Sequence, residues 1–299
     1  VSYDLFFRSR SGHGELSQES FQQYFGGRSH YQVGPEQAVY GNEDTGIYFT
    51  FDYNAPDKES DPSDDDQSEL QPVAFNLNYF RPHVFGLEAE PEVAAFAKAF
   101  DLTVSDPQMS GMGDGEYSAD GFLRGWNAGN AFSFRAIISQ DSSQRYLSLP
   151  SDQIEAVWRW NFNRERLQNE IVEALFVPRI FFFEVDDEVK TAIAWADGIP
   201  ILMPTVDYVI VPRKAFAPKR FLRPKKDLVV FDWMELSPII QRYAMIEGEL
   251  NCHELSYSKT PSDIEKLIRE KSPDGKKRAG IAAEQVFDRE LLERARSSK

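Results

Sequence analysis

Four carboxylates, Asp106, Asp114, Glu116 and Asp120, crowd a short stretch that also holds Gly111, Gly113 and Gly115. Oxygen ligands on a tightly turning glycine loop are what a hard divalent cation takes. An ion held there would activate water for hydrolysis. The spacing does not follow the EF-hand loop and no histidine lies nearby, so the competing reading is a solvated acidic loop. The histidines are His13, His30, His83 and His253, and none is spaced from another as a pair of metal ligands. His83 ends the run Tyr79-Phe80-Arg81-Pro82-His83, just after an expected strand, where functional groups often sit. Its plain alternative is a hydrogen-bonded structural histidine. Cys252 precedes His253, but adjacent side chains seldom face each other, so Cys252 reads as a buried, inert thiol. The chain has no G-x-S-x-G, P-loop, dinucleotide fingerprint or zincin helix. No cofactor is implied.

A second constellation is basic. Pro212–Lys226 holds seven Lys and Arg, no acid, and the aromatics Phe216 and Phe221. Pro212-Arg213-Lys214, Pro218-Lys219-Arg220 and Pro224-Lys225-Lys226 recur every six residues. In an extended polyproline segment six residues are two turns, so the basic pairs would share one side. Cations among aromatics suit single-stranded nucleic acid, and Lys219, Arg220, Lys225 and Lys226 are the candidate anion contacts. Against this stands a net charge of -15, which lowers long-range attraction to phosphate and makes nucleic acid an unfavoured partner.

The elements that must position these groups follow from periodicity. Tyr3–Arg8 reads as a strand. Ser17 caps a short helix to about Phe25, stopped by Gly26-Gly27. Ala38–Tyr40 and Ile47–Tyr53 form a hairpin around a Gly/Asn/Asp-rich loop, with Ile47, Phe49 and Phe51 on one face and Tyr48, Thr50 and Asp52 on the other. Asp57–Glu69 is acidic, lacks apolar periodicity and is expected to be mobile. Val73–Phe80 alternates as a strand. Pro91 fits the first turn of a helix to about Phe100. Ser118 caps a helix that carries Gly121, Gly125 and Gly129 on one face, a pattern suited to close backbone approach. A boundary falls in Ser139–Pro150. Ser151 opens a helix in which Trp158 and Trp160 point apart, one of them into the core. Arg179–Val185, Tyr208–Val211 and Leu228–Phe231 are strands, and Val189–Trp195 fits helix or strand. Ser237–Met245 reads as a helix with Pro238 in its first turn, and Thr260-Pro261-Ser262-Asp263 starts another. Ala279–Arg296 is a last, exposed, charge-laced helix.

The chain has 299 residues, 41% of them hydrophobic, too apolar for global disorder. No stretch approaches the length of a membrane span, and the first residues lack the pattern of a secretory signal, so no membrane partner is expected. One cysteine excludes an intrachain disulfide and favours the reducing cytoplasm. Charge is placed unevenly. Residues 1–140 hold 22 Asp and Glu against 8 Lys and Arg, which leaves 26 acids and 25 bases for residues 141–299. A one-sided field steers a basic partner as well as aiding solubility.

Tyr3-Asp4-Leu5-Phe6-Phe7, the hairpin from Tyr40-Gly41-Asn42-Glu43-Asp44 to Tyr48-Phe49, and Asn78-Tyr79-Phe80-Arg81-Pro82-His83 resemble a set of uncharacterised bacterial proteins. Gly113-Asp114-Gly115-Glu116-Tyr117 and Gly125-Trp126-Asn127 are similar as well. The resemblance implies a bacterial cytoplasmic origin and assigns no activity and no residue role.

These readings predict an α+β fold, mainly antiparallel sheet with helices packed on one face. They divide the chain into an acidic α+β domain, 1–140, with a disordered loop over 55–71, and a second α+β unit, 141–299, with the basic segment 212–226 and an exposed C-terminal helix. The expected function is an interaction module that binds a basic protein, as a bacterial immunity or inhibitor protein does. Its contacts would be Asp44, Asp52, Asp114, Glu116 and Asp120, with Tyr48 as aromatic anchor. The alternatives are a metal-assisted hydrolase on the Asp106–Asp120 loop and a single-stranded nucleic-acid binder. Oligomeric state is not written in the sequence.

Overall fold

The computed structural model describes residues 1–10, 16–54, 70–140, 144–171, 175–217, 219–220, 223–224, 227–246, 251–273 and 278–297. The chain divides into two units, Val1–Tyr146 with Phe287–Lys299, and Leu147–Val286. The fold is α+β and mainly antiparallel.

Alternation of aromatic and polar residues builds the sheet of the first unit. Its strands are β1 (Ser2–Ser9), β2 (Tyr31–Val33), β3 (Gln37–Asn42), β4 (Ile47–Tyr53), β5 (Leu70–Asn78), β6 (Leu102–Ser105) and β7 (Asp114–Gly115). They lie in the order β2-β3-β4-β5-β1-β6-β7, all antiparallel. Leu70 and Gln71, assigned from sequence to the loop, begin β5, and the rest of that expected loop, 55–69, lies outside the described residues. On one face Tyr3, Leu5, Phe7, Phe49, Phe51, Phe75 and Leu77 are buried. Helices α1 (Gln18–Gly26), α2 (Val84–Ala99) and α3 (Ala119–Gln140) cover it. Phe25 and Phe96 meet Phe51 at 4.9 and 5.0 Å between ring centroids, Phe96 meets Phe7 at 5.0 Å, and Phe122 meets Phe75 at 5.8 Å. Each ring so buried contributes about 2–3 kcal/mol.

Helix α2 starts seven residues before Pro91, so the proline lies inside it rather than in its first turn. The helix accepts the loss of one internal hydrogen bond because Val84, Phe85 and Ala89 ahead of the proline are buried. The glycines of α3 do admit neighbours. A Cβ at Gly125 would fall 2.9 Å from Gly111 Cα, and one at Gly129 would fall 2.1 Å from the Tyr79 hydroxyl.

The C-terminus differs most from expectation. Ala279–Ile281 is a strand, and the helix α7 spans only Arg289–Ser297. That helix is not exposed throughout: Leu292 and Ala295 are buried with Phe134, Ile138 and Phe287 in one apolar cluster. The many charges of 289–297 mask a narrow apolar stripe, and a stripe so short is decided by what it meets.

In the second unit β9 (Phe181–Val185), β10 (Glu188–Ala194), β12 (Tyr208–Arg213), β15 (Asp227–Asp232) and β18 (Ala279–Ile281) form a sheet in the order β15-β12-β10-β9-β18. Only β10 and β12 pair in parallel there. The ambiguous Val189–Trp195 is therefore mostly strand. A smaller sheet sets β17 (Cys252–Leu255) between β11 (Ile201–Pro204) and β16 (Ala244–Ile246). β13 (Lys219–Arg220) and β14 (Arg223–Pro224) pair as a hairpin. The short strand β8 (Ser148–Leu149) also belongs to this unit, and β19 (Phe287–Asp288) to the first. The helices are α4 (Ser151–Glu170), α5 (Trp233–Ile240) and α6 (Ser262–Glu270). In α4 Trp160 enters the core and donates from its indole to Pro178 O at 2.7 Å, while Trp158 is half-buried. Helix α5 begins four residues earlier than the sequence suggests. Asp232 and Glu235 make a capping box that outweighs the proline signal, and Ala244–Ile246 becomes strand instead.

Candidate functional site

The open face of the seven-stranded sheet gathers the acidic candidates that the structure brings together. Cross-strand register sets Gln37, Asp52, Ala74, Phe6, Ser105 and Asp114 in one row. Val39, Thr50, Asn76 and Asp4 form the next. Opposed residues in a sheet share a face, and rows two residues apart are neighbours. The helices occupy the other face, so this one carries polar and partly exposed side chains. Asp52 is held by the amide of Gln37 at 2.7 Å and the hydroxyl of Thr50 at 3.2 Å. Asp4 accepts from Asn76 Nδ2 at 2.5 Å and from Ser2 Oγ at 3.0 Å. Neutral donors fix both carboxylates without cancelling their charge. Phe6, an aromatic ring 36% exposed, follows Asp4 by two residues on β1 and lies in the row between Asp52 and Asp114.

Sequence reasoning missed Asp4 and Phe6. The signal was present, since Asp4, Phe6 and Arg8 alternate with the buried Tyr3, Leu5 and Phe7, but a single strand does not say which neighbours its outer residues have.

The remaining candidates separate. Asp44 sits in the β3–β4 turn, its N–H donating to Asn42 Oδ1 at 3.0 Å. Tyr48 is engaged: its hydroxyl accepts from Arg81 Nη2 at 2.7 Å and its ring meets Phe85 edge-on at 5.8 Å. It ties the chain before α2 to β4. Glu116 is paired with Arg10. Asp120 lies in the first turn of α3, where it offsets the helix dipole.

Asp106 does not join Asp114, Glu116 and Asp120 as a ligand. It is buried, accepting from Tyr3 Oη at 2.7 Å, Gln108 N at 3.0 Å and Met112 N at 2.8 Å. A Cβ at Gly111 would fall 1.9 Å from its carboxylate, so glycine is required there to let the loop close on the acid. Among the described residues no three His, Cys, Asp or Glu side chains are placed to hold a metal ion. Asp106 and Glu116 thus have separate partners, the first in the core and the second on Arg10.

Two other carboxylates are more deeply engaged than any the sequence singled out. Glu88 of α2, 1% exposed, accepts on one oxygen from Tyr40 at 2.8 Å, Asn42 at 2.9 Å and Thr45 at 3.0 Å. It fastens the β3–β4 hairpin to the helix. Asp288, fully buried, lies 2.5 Å from His83 Nδ1 and accepts the His83 N–H at 2.8 Å. His83 precedes α2 and has no side-chain capping bond of its own, so Asp288 serves as its cap acceptor.

The polyproline reading of the basic segment does not hold. Pro212 and Arg213 end β12, and Arg213 is buried. Its guanidinium grips Asp227 at 2.6 and 2.7 Å and donates to the carbonyls of Ile268 and Lys271 at the end of α6. Lys214, Ala215 and Phe216 turn their N–H groups onto Asp197. Lys219 and Arg220 belong to the β13–β14 hairpin by their backbone. Their side chains, with Lys225, Lys226 and His13, lie outside what the structure describes. Cys252 is buried, and burial pushes its thiol up to about 11, so it stays protonated.

No helix among the described residues is long and apolar enough to cross a membrane. Neither a family model, nor a curated protein, nor a solved structure matches the chain.

Proposed function

We propose that the protein is an interaction module whose open sheet face binds a basic partner protein in the bacterial cytoplasm, in the manner of an immunity or inhibitor protein. The observation that carries this reading is the cross-strand placement of Asp4, Asp52 and Asp114 around Phe6 on the face the helices leave uncovered. Carboxylates fixed by neutral donors keep their field and lose little entropy on binding, while an aromatic centre supplies the desolvated contact that charge alone does not. The acidic excess of residues 1–140 adds long-range steering towards a cationic surface.

A photo-crosslinking residue at position 6 tests the proposal in the native host. The partner captured there should be basic and should not be captured from Phe162, an exposed aromatic of the second unit. Replacing Asp4 and Asp52 by Lys should lower the association rate by about tenfold at low salt and by less at high salt. An acidic partner, no capture, or association indifferent to the double reversal refutes it.

A further inference from the structure

The small sheet of the second unit carries a row of side chains that the proposed binding face does not use. Register sets Met203 of β11 opposite His253 of β17, and His253 opposite Met245 of β16. Opposed residues in antiparallel strands share a face, with Cβ atoms about 4.5–5.5 Å apart. His253 is therefore flanked in the row by two methionines. Ile201 and Leu255, opposed two residues along on the same face, are fully buried. Exposure rises along the row from 0% at Met203 through 9% at His253 to 52% at Met245, so the row runs from core to solvent.

His253 Nδ1 is buried and has no hydrogen-bond partner among the described residues. A ring nitrogen hidden in this way loses its bond to water, which is costly unless something replaces it. Its neighbours in the row offer little as hydrogen-bond acceptors, because thioether sulfur accepts weakly. What two thioethers and a neutral imidazole do offer is soft lone pairs. Thioether ligands select Cu(I), whereas magnesium and calcium require oxygen. Cys252 is not part of the set. It precedes His253 in the strand, so its side chain leaves from the opposite face.

We infer that Met203, His253 and Met245 form a binding site for a soft monovalent cation, Cu(I), with His253 Nδ1 as the central ligand. The flexible methionine side chains close the sulfurs on the ion from either side. Met245, on the edge strand, gives it a path from solvent.

The test uses Ag(I), the redox-inert counterpart of Cu(I), on the full chain carrying Cys252→Ser so that no thiol competes. One equivalent should bind and shift the ring-nitrogen NMR signals of His253. Met245→Leu should weaken binding about tenfold or more with an unchanged circular dichroism spectrum, because the side chain is half-exposed and the swap conserves volume. His253→Gln should abolish the one-equivalent binding. If that variant does not fold, Met245→Leu decides alone. Absence of binding, or binding that survives Met245→Leu with His253 signals unmoved, overturns the site and assigns the ion to exposed methionines such as Met109 or Met234.

Discussion

At the residue scale the first unit is organised by carboxylates that accept from tyrosines, Asp106 and Glu88 buried and Glu90 and Glu92 half-buried. Tyr3 donates to Asp106, Tyr40 to Glu88, Tyr31 to Glu92 and Tyr117 to Glu90. Burial first, and the neighbouring carboxylate second, hold all four hydroxyls above their ordinary value of 10.0. The unfolded chain therefore releases these protons at a lower pH than the native one. Their contribution to stability is complete below about pH 10 and is lost as pH rises through the alkaline range. Urea midpoints should fall between about pH 9 and pH 11, and the phenolate absorbance of these rings should appear only with unfolding. Glu88→Ala leaves three buried donors without their acceptor and should cost about 3 kcal/mol or more. Glu88→Gln keeps an accepting oxygen and should cost less, as denaturant titration of both variants would show. Cys252 should resist a thiol reagent at neutral pH until the chain unfolds, given a thiol pushed up to about 11.

At the element scale α3 shows packing overruling propensity. Alanine at Gly129 would favour the isolated helix by about 1 kcal/mol. Its Cβ would strike Tyr79, which is stacked on Trp126 at 5.3 Å and has nowhere to go. Overpacking of that kind costs about 1–3 kcal/mol, so Gly129→Ala should lower the melting temperature. Helix α7 is the opposite case, a charged segment stabilised by a few apolar residues. Leu292→Ala should destabilise the first unit by about 2–4 kcal/mol, measured by protection of its sheet amides against hydrogen exchange. An unchanged exchange pattern would mean that α7 does not support the cluster around Phe134.

At the scale of the whole molecule the acidic excess and the proposed binding face belong to the same unit. The second unit is close to neutral and holds the row proposed for Cu(I). All the strands of its five-stranded and three-stranded sheets come from Phe181–Ile281. Residues 147–286 expressed alone should therefore keep their sheet signal in circular dichroism and still bind Ag(I). Residues 1–146 alone, without α7, should be less stable than the unit in the full chain.

Much of the first unit was legible because its strands alternate cleanly: aromatic inward, polar outward. Periodicity alone decides the face of each residue of β4 and of Val73–Asn78 in β5, and the fold class follows from it. Local chemistry likewise announced the Ser17 cap and the hairpin around Asn42 to Gly46, since both are complete within a few residues. What periodicity does not contain is which strand lies beside which. The rows that join Asp4 and Phe6 to Asp52 and Asp114, or set His253 between Met203 and Met245, arise from register between segments far apart in sequence. The burial of Arg213, the claim of Asp288 on His83 and the docking of α7 arise in the same way. Each lies in a sequence neighbourhood that reads as solvent-facing, and its partner is supplied only by the tertiary fold.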